Sequence, residues 1–129
     1  MNTNHSFEFN EALDGRFLHE LFEDEPSYAI VVFKDFLKEM PQCFHDMQTA
    51  FDTSNFKALK SAAHKCKTLF AYVGLSSLST RLQALEMACS SPEEMDTVGP
   101  LFHEVIGQRQ AIETLITEEI KRLEAFYEK

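Results

Sequence analysis

The stretch Asn55-Phe56-Lys57-Ala58-Leu59-Lys60-Ser61-Ala62-Ala63-His64-Lys65-Cys66-Lys67-Thr68-Leu69-Phe70-Ala71-Tyr72-Val73 decides how this chain folds. At about 100° per residue its apolar side chains fall on one stripe, which is typical of a helix that buries one face. The stripe consists of Phe56, Leu59, Ala63, Cys66, Phe70 and Val73. His64 falls outside the stripe, with Lys60, Lys67 and Thr68 one turn away on the same edge. The pattern predicts a core helix that presents a histidine to solvent among lysines.

The segments on either side of this helix are also helical in pattern. Before it, Ser27 is expected to cap a long helix that runs to about Phe51 and bends at Pro41 without ending there. After it, Gly74 fits the left-handed position that often follows a helix. Two more amphipathic segments follow, and a short one precedes the set, starting at Asn10. Their expected ranges are about 10–22, about 75–89, and from Asp96 or Thr97 to about Tyr127.

Long amphipathic helices joined by short polar connectors predict an all-α fold. We expect an antiparallel four-helix bundle with a short additional N-terminal helix across one end. A length of 129 residues with 44% apolar side chains suits one domain. We therefore predict a flexible N-terminal tail over residues 1–8 and a single bundle domain over residues 9–129.

The charge of the chain excludes some classes of partner. A net charge of −9 argues against general binding to nucleic acid or to an anionic membrane surface, because both need a basic face. The sequence has no apolar run long enough to cross a bilayer and no visible signal peptide, so we expect a cytoplasmic protein. Because one bundle accounts for the apolar positions, we expect a monomer.

Cysteines and histidines give no sign of a metal centre. Cys43, Cys66 and Cys89 are far apart and form no CxxC pair, so we expect buried free thiols in a reducing cytoplasm. None of the five histidines follows the Glu-x-x-His spacing of di-metal bundles, so no metal is expected.

The surroundings of His64 suit phosphoryl chemistry. An ordinary imidazole is largely unprotonated near pH 7, and its ring nitrogen can then attack phosphorus. The product carries a doubly charged phosphoryl group, whose charge nearby ammonium groups such as those of Lys60 and Lys67 can offset.

Four residues then carry a resemblance to a known family. Ala63, His64, Lys67 and Gly74 resemble the signature of the histidine phosphotransfer (HPt) domain, and the helical pattern is similar over about residues 10–127. The resemblance implies that His64 is the phospho-acceptor of a stand-alone module that carries phosphoryl groups between receiver-domain aspartates of a two-component phosphorelay. Its implied partners are response-regulator receiver domains and a hybrid sensor histidine kinase, with Mg²⁺ bound by the receiver and no cofactor bound by this chain. The chain is then a carrier through phosphohistidine rather than a turnover enzyme, and its lack of a nucleotide-binding motif predicts no ATP-dependent kinase activity.

One position departs from the family pattern, and another has two candidates. Thr68 stands where the family usually has Gly, and its side chain either donates to the phosphoryl oxygens or crowds them. This keeps open an alternative function, a non-catalytic helical adaptor that binds a receiver or kinase without being phosphorylated. The polar residue that many members use to hydrogen-bond the histidine is matched by Gln83 or Glu86, and Gln83 is slightly preferred.

Docking is expected on exposed apolar side chains of the first short helix and the Ser27 to Phe51 helix.

Overall fold

The computed structural model describes residues 6–128, and within that range every regular element is helical. The α-helices are α1 (Gly15–Leu21), α2 (Tyr28–Asp52), α3 (Phe56–Ala71), α4 (Ser76–Ala88), α5 (Met95–Ile106) and α6 (Arg109–Tyr127). A short 3-10 turn, Pro92–Glu94, precedes α5. The prediction of an all-α bundle with a short N-terminal helix is confirmed.

Contacts between neighbouring helices show that they run antiparallel. On α3 and α4, the Ser79 hydroxyl donates to the carbonyl of Lys67 while His64 faces Glu86 further along α4. Along α2, the Phe51 ring stacks on Phe102 of α5 at 4.1 Å, while a 2.8 Å salt bridge links Lys34 near the other end of α2 to Glu124 of α6. α5 and α6 together therefore form the fourth helix of the bundle.

The predicted single last helix is instead divided at Gly107 and Gln108. The backbone N–H of Gln108 bonds to the carbonyl of Val105, three residues back, so the turn tightens from α to 3-10 geometry. A Cβ at Gly107 would lie 3.1 Å from the His103 carbonyl oxygen, a tight approach. The α-helical hydrogen-bond pattern is interrupted here, and α6 begins at Arg109.

The helix α3 matches its prediction closely. Asn55 is its N-cap, and its side-chain oxygen accepts a 3.0 Å hydrogen bond from the backbone N–H of Ala58. Its predicted stripe faces the core, where Phe70 packs against Phe36 and Phe44 of α2. Leu59, Ala63, Cys66 and Phe70 are fully buried. The one predicted stripe residue that is only partly buried is Phe56, at the first turn.

The N-terminal segment contacts the bundle before its first helix begins. Residues 1–5 of the predicted tail lie outside the described residues, whereas residues 6–8 of it include side-chain and main-chain contacts with α6. Phe7 is buried, with its ring 5.6 Å from that of Phe126, and the Arg122 guanidinium donates to the carbonyl of Glu8. The short helix starts at Gly15 with Asp14 as its cap, not at Asn10. Asn10 holds a turn instead, in which its side-chain oxygen accepts a hydrogen bond from the N–H of Ala12.

The expectation of three free thiols is wrong for Cys43 and Cys66, which form a disulfide between α2 and α3. Their Cα atoms lie 5.8 Å apart, a usual separation for bridged cysteines. The two residues are 23 positions apart on facing helices, a spacing that carries no local pairing signal. Cys89 is a free buried thiol, and burial raises its pKa.

Candidate functional site

The exposed face of α3 is a basic ridge with His64 in its middle. The His64 side chain is 62% exposed, although Ala63 beside it is fully buried. α3 contains four lysines and no acidic residue, in a chain whose net charge is −9. The lysines of the basic ridge are Lys57, Lys60, Lys65 and Lys67. The histidine is therefore presented where an acidic or phosphorylated partner is attracted.

Glu86 of α4 holds His64 from the side. Its Oε2 lies 3.0 Å from Nδ1 of His64, and its Oε1 accepts a 3.0 Å hydrogen bond from Nζ of Lys67. The Glu86 side chain is 18% exposed and that of Lys67 is 24% exposed, so the carboxylate is largely sheltered while the imidazole is open. We call these three residues the His64–Glu86–Lys67 cluster.

Because α3 and α4 run antiparallel, Glu86 of α4 lies beside His64 and Lys67 of α3. Gly74 makes the turn between the two helices. Gly74 has φ of +79°, in the left-handed region that other residues rarely adopt. Its carbonyl accepts a 2.8 Å hydrogen bond from the N–H of Asp14, and the Leu18 side chain packs directly over it. The turn thereby also fixes α1 against this end of the bundle.

Glu86 is ionised at neutral pH. Burial by itself raises the pKa of Glu86, but the hydrogen bonds and charges of Lys67 and His64 outweigh burial and hold that pKa below its usual value. A charged carboxylate only accepts hydrogen bonds, so the proton of a neutral His64 lies on Nδ1. The other ring nitrogen, Nε2, is left with a free lone pair on the exposed ridge.

The structure places the other predicted site residues around this cluster. Lys60 is exposed one turn before His64, near enough to Cys89 for its charge to lower the pKa of that thiol against the larger effect of burial. Thr68 is exposed one turn after His64 on the same ridge. Within residues 6–128 its hydroxyl makes no hydrogen bond, whereas the hydroxyls of Thr53, Thr80 and Thr97 bond back to the main chain.

The preference for Gln83 as the histidine's partner is corrected. Gln83 is exposed on α4, and it is Glu86 that contacts His64. The pattern of α4 contained the signal: Leu82, Leu85 and Cys89 face the core, and Glu86 lies at the border of that stripe on the side of α3. A border position reaches the neighbouring helix, whereas Gln83 points further outward.

Several large apolar side chains are exposed among the described residues, and the most exposed of them is Met87, next to Glu86 on α4. Tyr72, two turns beyond His64, is 48% exposed and lines a shallow crevice of about 170 Å³ with Val32 and Leu69. Tyr28 and Val31 of α2 lie next to Val32 in the chain and are also exposed. Phe17 and Leu21 add two more exposed apolar side chains on α1. We call the exposed residues Phe17, Leu21, Tyr28, Val31 and Tyr72 the apolar patch.

Neither a metal centre nor a membrane-spanning helix is found among the described residues. In the part of the chain from residue 6 to 128, no three His, Cys, Asp or Glu side chains are grouped so as to hold a metal ion. None of the helices described is both long and apolar enough to cross a membrane.

Fold and site together define a helical bundle that presents an exposed, hydrogen-bonded histidine on a basic ridge. Comparison with protein families gives a match between residues 31–126 and the Hpt domain, a region that contains the whole His64–Glu86–Lys67 cluster. The chain belongs to the Hpt domain family. Searches of curated proteins and of solved structures found no match to it. Hpt domains act in phosphotransfer within phosphorelays, where they interact with receiver domains and kinases, and this role extends to the chain as a member.

Proposed function

We propose that this chain is a stand-alone phosphoryl carrier that takes the phosphoryl group from an aspartate of one receiver domain and passes it to another. The observation that carries the proposal is the 3.0 Å contact between Nδ1 of His64 and Glu86, which leaves Nε2 as the exposed nucleophile. In the loading step Nε2 forms a bond to phosphorus, the bond from phosphorus to the aspartate oxygen breaks, and its electron pair stays on the carboxylate. The phosphohistidine then reacts with the second aspartate in reverse order.

The basic ridge supplies charge and the apolar patch supplies contact area for this reaction. Lys67 is one turn from His64 and already held by Glu86, so it can turn to the phosphoryl oxygens with little loss of side-chain freedom. Lys60 adds a second ammonium group on the other side of the histidine. The apolar patch supports docking of a receiver beside its acidic phosphorylation site, because exposed apolar groups of this kind mark protein contacts.

Mg²⁺ and the acidic groups that bind it belong to the receiver in this proposal. The chain supplies a positioned nucleophile and nearby cations, which is most of what phosphoryl transfer requires of a protein. We place the carrier in the cytoplasm, as a monomer, with the kinase that feeds the relay. There the Cys43–Cys66 disulfide is reduced, so the bundle has to hold its fold on packing alone.

The direct test is incubation with a receiver domain carrying labelled phosphoryl-aspartate, in the presence of Mg²⁺. We expect the wild type to gain label that is lost in acid and kept in alkali, and His64→Gln to gain none. His45→Gln, which removes an exposed histidine on α2, is the matched control and should label like the wild type. Stable receiver binding without label on the wild type would contradict the carrier and favour the adaptor function.

A further inference from the structure

Away from the His64 site, two bonded cysteines border a crevice between α2 and α3. Cys43 of α2 and Cys66 of α3 form the disulfide, and both line this crevice, which has a volume of about 210 Å³. Cys43 is partly exposed, whereas Cys66 is fully buried. A reagent that enters from solvent therefore reaches the sulfur of Cys43 before that of Cys66.

The cysteine pair lies apart from the His64–Glu86–Lys67 cluster. Two positions along an α-helix turn a side chain by about 200°, so Cys66 is buried in the core while His64 is exposed on the basic ridge. The packing of α3 on α2 also has support besides the sulfur atoms, because Phe70 contacts two phenylalanine rings of α2. The bridge can therefore open while the core contacts and the surroundings of His64 stay in place.

We propose that Cys43 and Cys66 are a reversible redox-modification site, in which Cys43 exchanges with small external thiols and disulfides and Cys66 is the internal partner that closes the bridge. In a cytoplasm the dithiol is the resting form, and the disulfides that form there are usually transient ones that respond to oxidants. A bridge with one partly exposed sulfur is also more open to exchange than a fully buried one. The proposal does not depend on phosphoryl transfer.

Closure of the bridge is a two-electron oxidation whose oxidant is a small disulfide, R–S–S–R. The Cys43 thiolate attacks one sulfur of the reagent, the S–S bond of the reagent breaks, and the first R–S⁻ leaves with the electron pair. Cys66 then loses its proton to solvent and its sulfur attacks Sγ of Cys43, which releases the second R–S⁻. Each R–S⁻ takes up a proton, so the reagent is reduced to two thiols while two cysteine thiols are oxidised to the bridge.

Opening of the bridge reverses these steps. An external thiolate attacks Sγ of Cys43, the bond between the two cysteines breaks, and Cys66 leaves as a thiolate that takes up a proton. A second external thiolate then attacks the reagent's own sulfur in the mixed disulfide and releases Cys43. Both steps of opening begin at the exposed side of the crevice.

Charged side chains around the crevice favour one class of reagent. Glu39 and Asp46 of α2 and Lys65 of α3 line the crevice and are exposed. Two carboxylates against one ammonium group give the rim a net negative charge, which attracts cationic reagents and repels anionic ones. The small volume also suits a short, unbranched molecule. Cystamine, a small disulfide with two ammonium groups, meets both conditions.

The formation of mixed disulfides with cystamine tests which cysteine reacts. Cys66→Ala leaves Cys43 without its internal partner and puts no polar group into the core, and Cys43→Ser leaves Cys66 alone. Each reduced variant is treated with cystamine, and the adducts are located by peptide mass spectrometry. Cys89 is the internal control in both variants, as a buried thiol whose pKa is raised by burial. The same reactions in urea give the rates without burial, and thermal unfolding checks that each variant is folded.

We expect Cys43 in Cys66→Ala to gain the adduct at least about ten times faster than Cys66 in Cys43→Ser, because only Cys43 is reached from solvent. In urea the two rates should agree. Cys89 should react slowly in both folded variants. Oxidised glutathione, which is larger and anionic, should react with Cys43 more slowly than cystamine when each rate is compared with its value in urea.

The reduced wild type gives a second measurement that needs no variant. It should pass through an adduct on Cys43 and end with the bridge, no adduct and two fewer free thiols, and dithiothreitol should restore both thiols. Labelling of His64 by phosphoramidate should proceed at the same rate in the bridged and the reduced protein.

Four results would count against the proposal. Equal adduct rates at Cys43 and Cys66 in the folded variants overturn the choice of Cys43 as the exchanging sulfur. A wild type that keeps two adducts, or a bridge that dithiothreitol does not open in the folded protein, overturns reversible exchange. A faster relative rate with oxidised glutathione contradicts the role of the charged rim, and a change in His64 labelling on closure contradicts the separation of the two sites.

Discussion

Two glutamates, Glu86 of α4 and Glu119 of α6, differ in what their hydrogen-bond partners leave exposed. Glu86 bonds to His64 and Lys67, both on a neighbouring helix, and its imidazole partner is largely exposed. Glu119 of α6 is 1% exposed and accepts hydrogen bonds from Arg122 and from the backbone N–H of Asn10. The partners of Glu119 have no free reactive atom, so this region fixes the N-terminal segment in place. The partners of Glu86 include His64, whose exposed Nε2 is the nucleophile of the proposed function.

The largest effect is expected for Gly74→Ala, because Gly74 makes the turn between α3 and α4 and also binds the N-terminal segment through the N–H of Asp14. An added Cβ would lie 2.7 Å from Leu18 Cδ1 and would need a φ of +79°. We expect the free energy of unfolding to fall by about 3 to 4 kcal/mol, measured by urea denaturation. Gly99→Ala is the control, because a Cβ there meets no atom within 4 Å. Equal stability of the two variants would contradict the structural role of Gly74.

Reduction of the disulfide should leave both glutamate regions in place. Cys43 and Cys66 close a loop of 23 residues, so reduction should lower the free energy of unfolding by about 3 kcal/mol. Denaturation with and without dithiothreitol measures the change, and phosphorylation of His64 should persist in the reduced protein. Cys43→Ser serves as the control, because its stability should not respond to the reductant. A wild type equally indifferent to the reductant would show that the bridge does not form.

Glu119→Ala should weaken the attachment of the N-terminal segment without affecting the surroundings of His64. It removes the acceptor of the Asn10 N–H and leaves the guanidinium of Arg122 without its carboxylate. We expect a loss of about 2 kcal/mol in the free energy of unfolding, with hydrogen exchange faster in the N-terminal segment. Labelling at His64 should stay within twofold of the wild type. A loss of labelling with unchanged stability would mean that the two regions are coupled.

The smallest expected effect concerns stability in acid. Because the pKa of Glu86 is lower in the folded protein, the carboxylate stabilises the fold above its unfolded value of 4.5, and this stabilisation disappears as pH falls through the lowered pKa. Glu86→Gln should therefore be less stable than the wild type by below about 1 kcal/mol at pH 7, with the difference vanishing near pH 3. Urea midpoints at both pH values measure it. A difference that grows in acid would reverse the assigned direction.

Helical periodicity predicted those parts of the molecule that depend on local sequence. The helix around His64 and the left-handed Gly74 follow from apolar spacing and residue type, and both are present. The break at Gly107 was missed because the apolar pattern continues through it, and a local tightening leaves no mark on periodicity.

Features that depend on pairing between distant segments were harder to predict. The Cys43–Cys66 bridge joins facing positions on two helices, and the burial of Phe7 depends on Phe126 at the far end of the chain. Gln83 and Glu86 lie on successive turns of α4. The rotation of α4 about its own axis decides which of the two side chains reaches the His64 ring, and it is Glu86. The sequence therefore identified His64 as the candidate residue, whereas the residue that contacts His64 depends on how the two helices pack.

α3 contains no acidic residue, so its net charge changes markedly when His64 is phosphorylated, and this change should affect how firmly partners bind. The four lysines of the basic ridge attract an acidic receiver, and a phosphoryl group brings up to about two negative charges onto the same ridge. In the proposed cycle, loading therefore offsets part of that attraction, and a receiver that has just given up its phosphoryl group is held less firmly than it was on arrival. The bound phosphoryl group would favour departure of the donor, and the carrier would regain its full positive charge once it is emptied.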